Sequence, residues 1–175
     1  GFDRAMNIEQ AQFKLKGLGH DTETVETIMD NALASVKGTA YGLDEAATVA
    51  SNVVASGIKP GKELEGVLKS VADAAAISGR GMDEIGDIFS KVAAGGKMTA
   101  RELNSLTQSG IPAIDLLAES MGKSGEEIRD MVSAGKIGMP ELQKAIETGM
   151  GGAALTMGET FSGAKDNVVA AFSRM

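Results

Sequence analysis

His20 is the only histidine in the chain, and cysteine is absent. A lone imidazole without a second His or a thiolate makes no metal set, and its neighbours Gly19 and Asp21 place it in a turn between helices. Two carboxylate clusters could in principle do acid–base work: Asp83, Glu84 and Asp87, and Glu126, Glu127 and Asp130. Each opens a helical pattern, where acids complement the positive end of the helix dipole and face water. Gly17-Leu18-Gly19 and Gly79-Arg80-Gly81 lack the third glycine of a dinucleotide fingerprint, and neither follows a strand pattern. Ala94-Gly95-Gly96-Lys97-Met98-Thr99 has a Gly-Lys pair. It lacks the earlier glycine, a Ser or Thr after the lysine and a preceding strand, so it is not a phosphate loop. No Gly-x-Ser-x-Gly elbow occurs. These residues assign no catalytic, cofactor or metal site.

The elements that carry them are helical throughout. Val25, Ile28, Met29, Ala32, Leu33 and Val36 form an apolar stripe at helical spacing, capped by Asp21 or Thr22. A preceding helix, about Phe2 to Lys16, puts Phe2, Met6 and Phe13 near one side. Leu43, Ala46, Ala47, Ala50, Val53 and Val54 line a third helix, and Leu64, Val67, Leu68, Val71 and Ala75 a fourth. Ile111, Ile114, Leu116, Leu117 and Met121 form a short apolar helix, and Pro112 and Pro140 sit where first-helical-turn prolines belong. No alternating strand pattern appears, and the 23 glycines mostly punctuate helix ends. Thr148 to Thr160 reads as loop or broken helix. A last helix from about Phe161 or Ala164 carries Val168, Val169 and Phe172.

One unit is written twice. Glu84-Ile85-Gly86-Asp87-Ile88-Phe89 leads to Gly96-Lys97-Met98-Thr99-Ala100-Arg101-Glu102-Leu103. Glu127-Ile128-Arg129-Asp130-Met131-Val132 leads to Gly135-Lys136-Ile137-Gly138-Met139-Pro140-Glu141-Leu142. Each copy is a helix, a Gly-Lys turn with an apolar residue behind it, and a second helix. Thr99–Glu102 and Ser124–Glu127 are capping boxes, with a hydroxyl for the third amide on and a glutamate reaching back. The expected fold is all-α, a compact bundle of about eight to ten short helices with this duplicated hairpin. Residues 1–175 read as one helical domain cut from a longer chain. Its possible sub-units are 1–81 and 82–148, with 149–175 a loop and truncated terminal helix.

Composition narrows the function classes. The net charge is −7 with no basic run, which argues against direct nucleic-acid binding. Aromatics are 3% of residues and methionines number ten, so the core is built of aliphatic residues and methionine. No uncharged apolar run reaches the roughly 20 residues of a membrane span; the best, Ala46 to Ala55, carries Thr48, Ser51 and Asn52.

Several runs, in order along nearly the whole chain, resemble the N-terminal globular domain of phage tail tape measure proteins. They are Gly17-Leu18-Gly19-His20, Ile28 through Leu43, Ala46-Ala47-Thr48-Val49-Ala50 and Gly57-Ile58-Lys59-Pro60-Gly61. Phe89-Ser90-Lys91-Val92-Ala93-Ala94, Gly110-Ile111-Pro112 and Gly149-Met150-Gly151-Gly152-Ala153-Ala154 continue the series. The resemblance implies a long helical protein inside the tail tube whose length sets tail length. It implies tail-tube, tail-tip and tail-assembly chaperone partners, and a location in the virion tail and, during assembly, the bacterial cytoplasm. It carries over no functional residue and no cofactor. The expected role is a non-enzymatic structural module, with self-association and Val168, Val169 and Phe172 as its candidate contact residues. Two other classes stand beside it. One is a cell-wall-degrading hydrolase, for which Glu102, Glu119 and Glu141 are the carboxylates to inspect. The other is a membrane-active module used in DNA delivery, which the acidic charge disfavours.

Overall fold

The structure, a computed structural model, describes residues 2–160, and the side chains from residue 3 onward. Ten α-helices and no strand occur among the described residues. They are α1 (Phe2–Gly17), α2 (Thr22–Val36), α3 (Leu43–Ala55), α4 (Lys62–Ser78) and α5 (Met82–Gly95). The chain continues through α6 (Ala100–Gln108), α7 (Ala113–Met121), α8 (Gly125–Ser133), α9 (Met139–Met150) and α10 (153–160). Thr148 to Thr160 is therefore a broken helix and not a loop: α9 runs to Met150, Gly151-Gly152 breaks it, and α10 restarts.

Local signals set the boundaries. Asp21 Oδ1 accepts from the Thr24 amide at 2.8 Å and caps α2. Gly57 and Gly110, both at positive φ, end their helices in the same way. The next residue, Ile58 or Ile111, turns its amide back to the carbonyl five residues earlier and buries its own side chain. Pro140 sits in the first turn of α9 as expected, whereas Pro112 lies one step earlier, at the N-cap of α7.

The helices pack around α3 and α4. α3 lies against α1, α2, α4 and α5, and α4 against α2, α3, α5 and α9; α7 covers the far side of α9. One continuous buried cluster reaches from Leu15 to Ala154 and includes Phe89, Met82, Met98 and Ile137. The stripe of α4 read from sequence is buried throughout, and so are Ile85, Ile88, Phe89 and Val92, which fall at helical spacing along α5. On α2, Val25, Ile28, Ala32 and Val36 face the core, but Leu33 at the stripe's edge is half exposed and Ser35 is buried, its hydroxyl bonded to the Ala32 carbonyl at 2.7 Å.

Candidate interaction surface

α1 has two apolar faces. Ala11 and Leu15 are buried against α3, and Lys14 Nζ donates to Asn52 Oδ1 at 2.6 Å to hold the two helices together. Met6 and Phe13, two turns apart and so on one side, face outward, 42% and 80% exposed. The side of α1 marked by apolar spacing is thus a solvent face. Leu18, Leu33, Ile77 and Leu155 are the other large apolar residues that stand out from the described surface. Val168, Val169 and Phe172 lie outside the described residues.

Of the carboxylates singled out from sequence, Glu102, Glu127 and Glu141 do structural work at helix starts. Glu102, almost wholly buried, accepts from the Thr99 amide at 3.2 Å and from its hydroxyl at 2.8 Å. The Thr99 hydroxyl in turn takes the Arg101 amide, two residues on and not three. Glu141 accepts from the Gly138 amide at 2.8 Å, so it makes half a capping box with no hydroxyl. Ser124 and Glu127 form the full reciprocal box. Glu119 is exposed. The three glutamates do not meet in one cleft: two are occupied at separate helix starts and the third faces water. Arg80 pairs with Glu84 at 2.8 Å and Lys91 with Asp87 at 3.2 Å, each pair one helical turn apart and exposed. His20 is half-buried in the turn after α1, its amide bonded to the Leu15 carbonyl. No group of three His, Cys, Asp or Glu residues placed to hold a metal occurs among the described residues. No helix among them is long and apolar enough to cross a membrane.

Hydrogen bonds from the Ser124 backbone and then its side chain hold the Glu127 carboxyl below the usual carboxylate range. Asp21 is lowered by hydrogen bonds from the Thr24 side chain and then its backbone. Glu45 goes the other way: burial raises it first, and the charges of Asp44 and Asp83 add to that, against a hydrogen bond from the Gly42 backbone. Tyr41 is raised by burial and then by Glu45.

The duplicated hairpins meet at their turns. The Met98 amide donates to the Ile137 carbonyl at 2.7 Å, joining residues at equivalent places in the two copies. The Lys97 side chain lies across Gly135, where a Cβ would come within 3.1 Å of its Cδ. Spacing alone did not show that the copies face each other, although one signal was there. In each copy a glutamate follows the turn glycine by six residues, Gly96 to Glu102 and Gly135 to Glu141. That is the second half of a helix–loop–helix calcium loop, in which the glycine stands sixth and a bidentate glutamate twelfth. The first, third and fifth positions, which need side-chain oxygens, hold Lys91, Ala93 and Gly95 in one hairpin and Asp130, Val132 and Ala134 in the other. Of these six only Asp130 carries a side-chain oxygen, so the donor set is incomplete, and both glutamates bind backbone amides.

The arrangement offers contact surface and helix joints among the described residues. Neither the curated proteins nor the solved structures yielded a match. The family model described as "Tape measure protein" matches residues 1–175, the full length of the sequence. The chain belongs to the tape measure protein family, a family of phage tail components.

Proposed function

We propose that this chain is a structural module that acts in tail length determination and tail assembly through protein–protein contacts. The observation that carries this reading is the match to the tape measure family along the entire sequence. The partners it implies are tail-tube, tail-tip and tail-assembly chaperone proteins, with self-association as a further mode. The location it implies is the virion tail, and the bacterial cytoplasm while the tail is built. One feature of the structure supports a contact role: the outward Met6–Phe13 face of α1.

The test is the solution mass of the chain by light scattering, alone and mixed with its cognate tail-tube, tail-tip and chaperone proteins. A complex or stable self-association is the expected result. A monomer that ignores all of them would overturn the proposal. Met6, Phe13, Val168, Val169 and Phe172 are the first positions to substitute when mapping the contact.

A further inference from the structure

The last described helix, α10, is attached to the body in an unusual way. It follows α9 through Gly151-Gly152, with Gly152 at a φ of 83°, a conformation that only glycine adopts freely. The first amides of a helix have no acceptor within it. Here two donors at this helix start are satisfied from another element: Asp73, in the middle of α4, accepts from the Gly152 amide at 3.1 Å and from the Ala154 amide at 3.0 Å, one on each carboxylate oxygen. The negative charge also complements the positive end of α10.

The described part of the helix buries few side chains. Of its described residues only Ala154 is buried, and Leu155 is 49% exposed. Clefts of about 330 and 470 Å³ flank Asp73 on either side, and a third of about 350 Å³ opens between Ile77, Met150 and Met157. At the far end Gly158 rests on the turn after α2 so closely that any Cβ there would collide with the Gly38 carbonyl. On the inner side of α4, Val67, Leu68, Val71, Ala74 and Ala75 are fully buried. Segments with few buried apolar contacts open at low free-energy cost while the core stays folded.

We propose that residues 151–160 form a strap that opens as a unit about the Gly151-Gly152 hinge, with the Asp73 carboxylate as its latch and the body remaining intact.

The test is hydrogen exchange, resolved by segment, on the whole 175-residue chain. The wild type, Asp73→Ala, Asp73→Asn, Gly158→Ala and the exposed control Asp115→Ala are compared. In the wild type, 153–160 exchanges faster than α3 and α4. Asp73→Ala speeds that exchange by about tenfold or more with α3 and α4 unchanged, because two charge-assisted bonds are lost. Asp73→Asn, which keeps one acceptor oxygen, falls between. Gly158→Ala opens the strap from its other end with the latch residue intact, and Asp115→Ala matches wild type. Equal protection of the strap and α4 in the wild type would overturn the proposal. So would an Asp73→Ala strap that exchanges like wild type, or exchange that rises together across the whole body.

Discussion

Met98 and Ile137 occupy the same place in two copies of one motif, and the backbone amide of the first is bonded to the carbonyl of the second at 2.7 Å. Both side chains are fully buried. The duplication is therefore physically closed: the apolar residue behind each Gly-Lys turn seats in the core, and the exposed turns meet back to back. Met98→Ala and Ile137→Ala should each cost about 2–4 kcal/mol, the usual loss for removing a large buried side chain. Combined, they should depart from additivity by at least about 0.5 kcal/mol, since the two residues are in contact. Urea unfolding of the four proteins measures this, and strictly additive losses would mean the turns are energetically independent.

Gly86 lies in the middle of α5, where alanine would normally gain about 1 kcal/mol of helix propensity. A Cβ there would sit 2.7 Å from Cγ1 of Val49 on α3, inside contact distance. Overpacking of that kind costs about 1–3 kcal/mol. Gly86→Ala should therefore lower the melting temperature. Adding Val49→Ala should recover part of the loss, because it opens the space the new methyl needs. A Gly86→Ala protein that melts above wild type would show that α3 and α5 are not in close apposition here.

Glu102 separates the structural from the enzymatic reading. Its removal by Glu102→Ala leaves the Thr99 amide and hydroxyl without their acceptor and should cost about 1–2 kcal/mol. Glu119→Ala, at an exposed position, should stay within about 0.5 kcal/mol. Thermal melts together with a cell-wall degradation assay check both. Wall-degrading activity that Glu102→Ala or Glu141→Ala abolishes without loss of stability would favour a hydrolase.

Two carboxylates should give opposite pH signatures. Glu127 has a depressed pKa in the fold, so its contribution is present above its unfolded pKa and lost as pH falls through the folded value. Glu127→Gln should lower the melting temperature near about pH 7 and have little effect near about pH 3. Glu45 is raised, so its contribution is present below the unfolded pKa and lost as pH rises through the folded value. Glu45→Gln should raise the melting temperature near about pH 7 and be neutral near about pH 3. Differential scanning calorimetry at the two pH values decides, and a shared sign at neutral pH would contradict this assignment.

Phe13 is 80% exposed, so its side chain should add little to stability. Phe13→Ser should change the unfolding free energy by no more than about 0.5 kcal/mol, as for other surface positions. The same substitution should weaken self-association or capture by a tail protein in the light-scattering experiment. A large loss of stability would instead mean that the side chain is covered in solution.

The amino-acid sequence alone determined what depends on neighbours within about one or two turns. The stripes of α4 and α5, the caps at Asp21, Ser124 and Thr99, the glycine stops at Gly57 and Gly110, and the repeated hairpin are all short-range. Each is a side chain or amide answering a group a few residues away, and spacing shows it directly. The all-helical class follows from the same signals, because every apolar stripe has helical period and none alternates. Family membership was legible too, from the wording of runs spread along the chain.

The tertiary structure decided what spacing leaves open. The side of α1 bearing Met6 and Phe13 faces solvent, because Ala11 and Leu15 on the opposite side allow the closer approach to α3. Leu33 sits at the rim of its helix contact and stays half exposed. Glu102 is buried at a helix start, and Asp73 caps a helix that begins about 80 residues later. The bond from Met98 to Ile137 likewise joins distant parts of the chain. These contacts depend on how packed helices bring remote segments together, and no local periodicity carries that information.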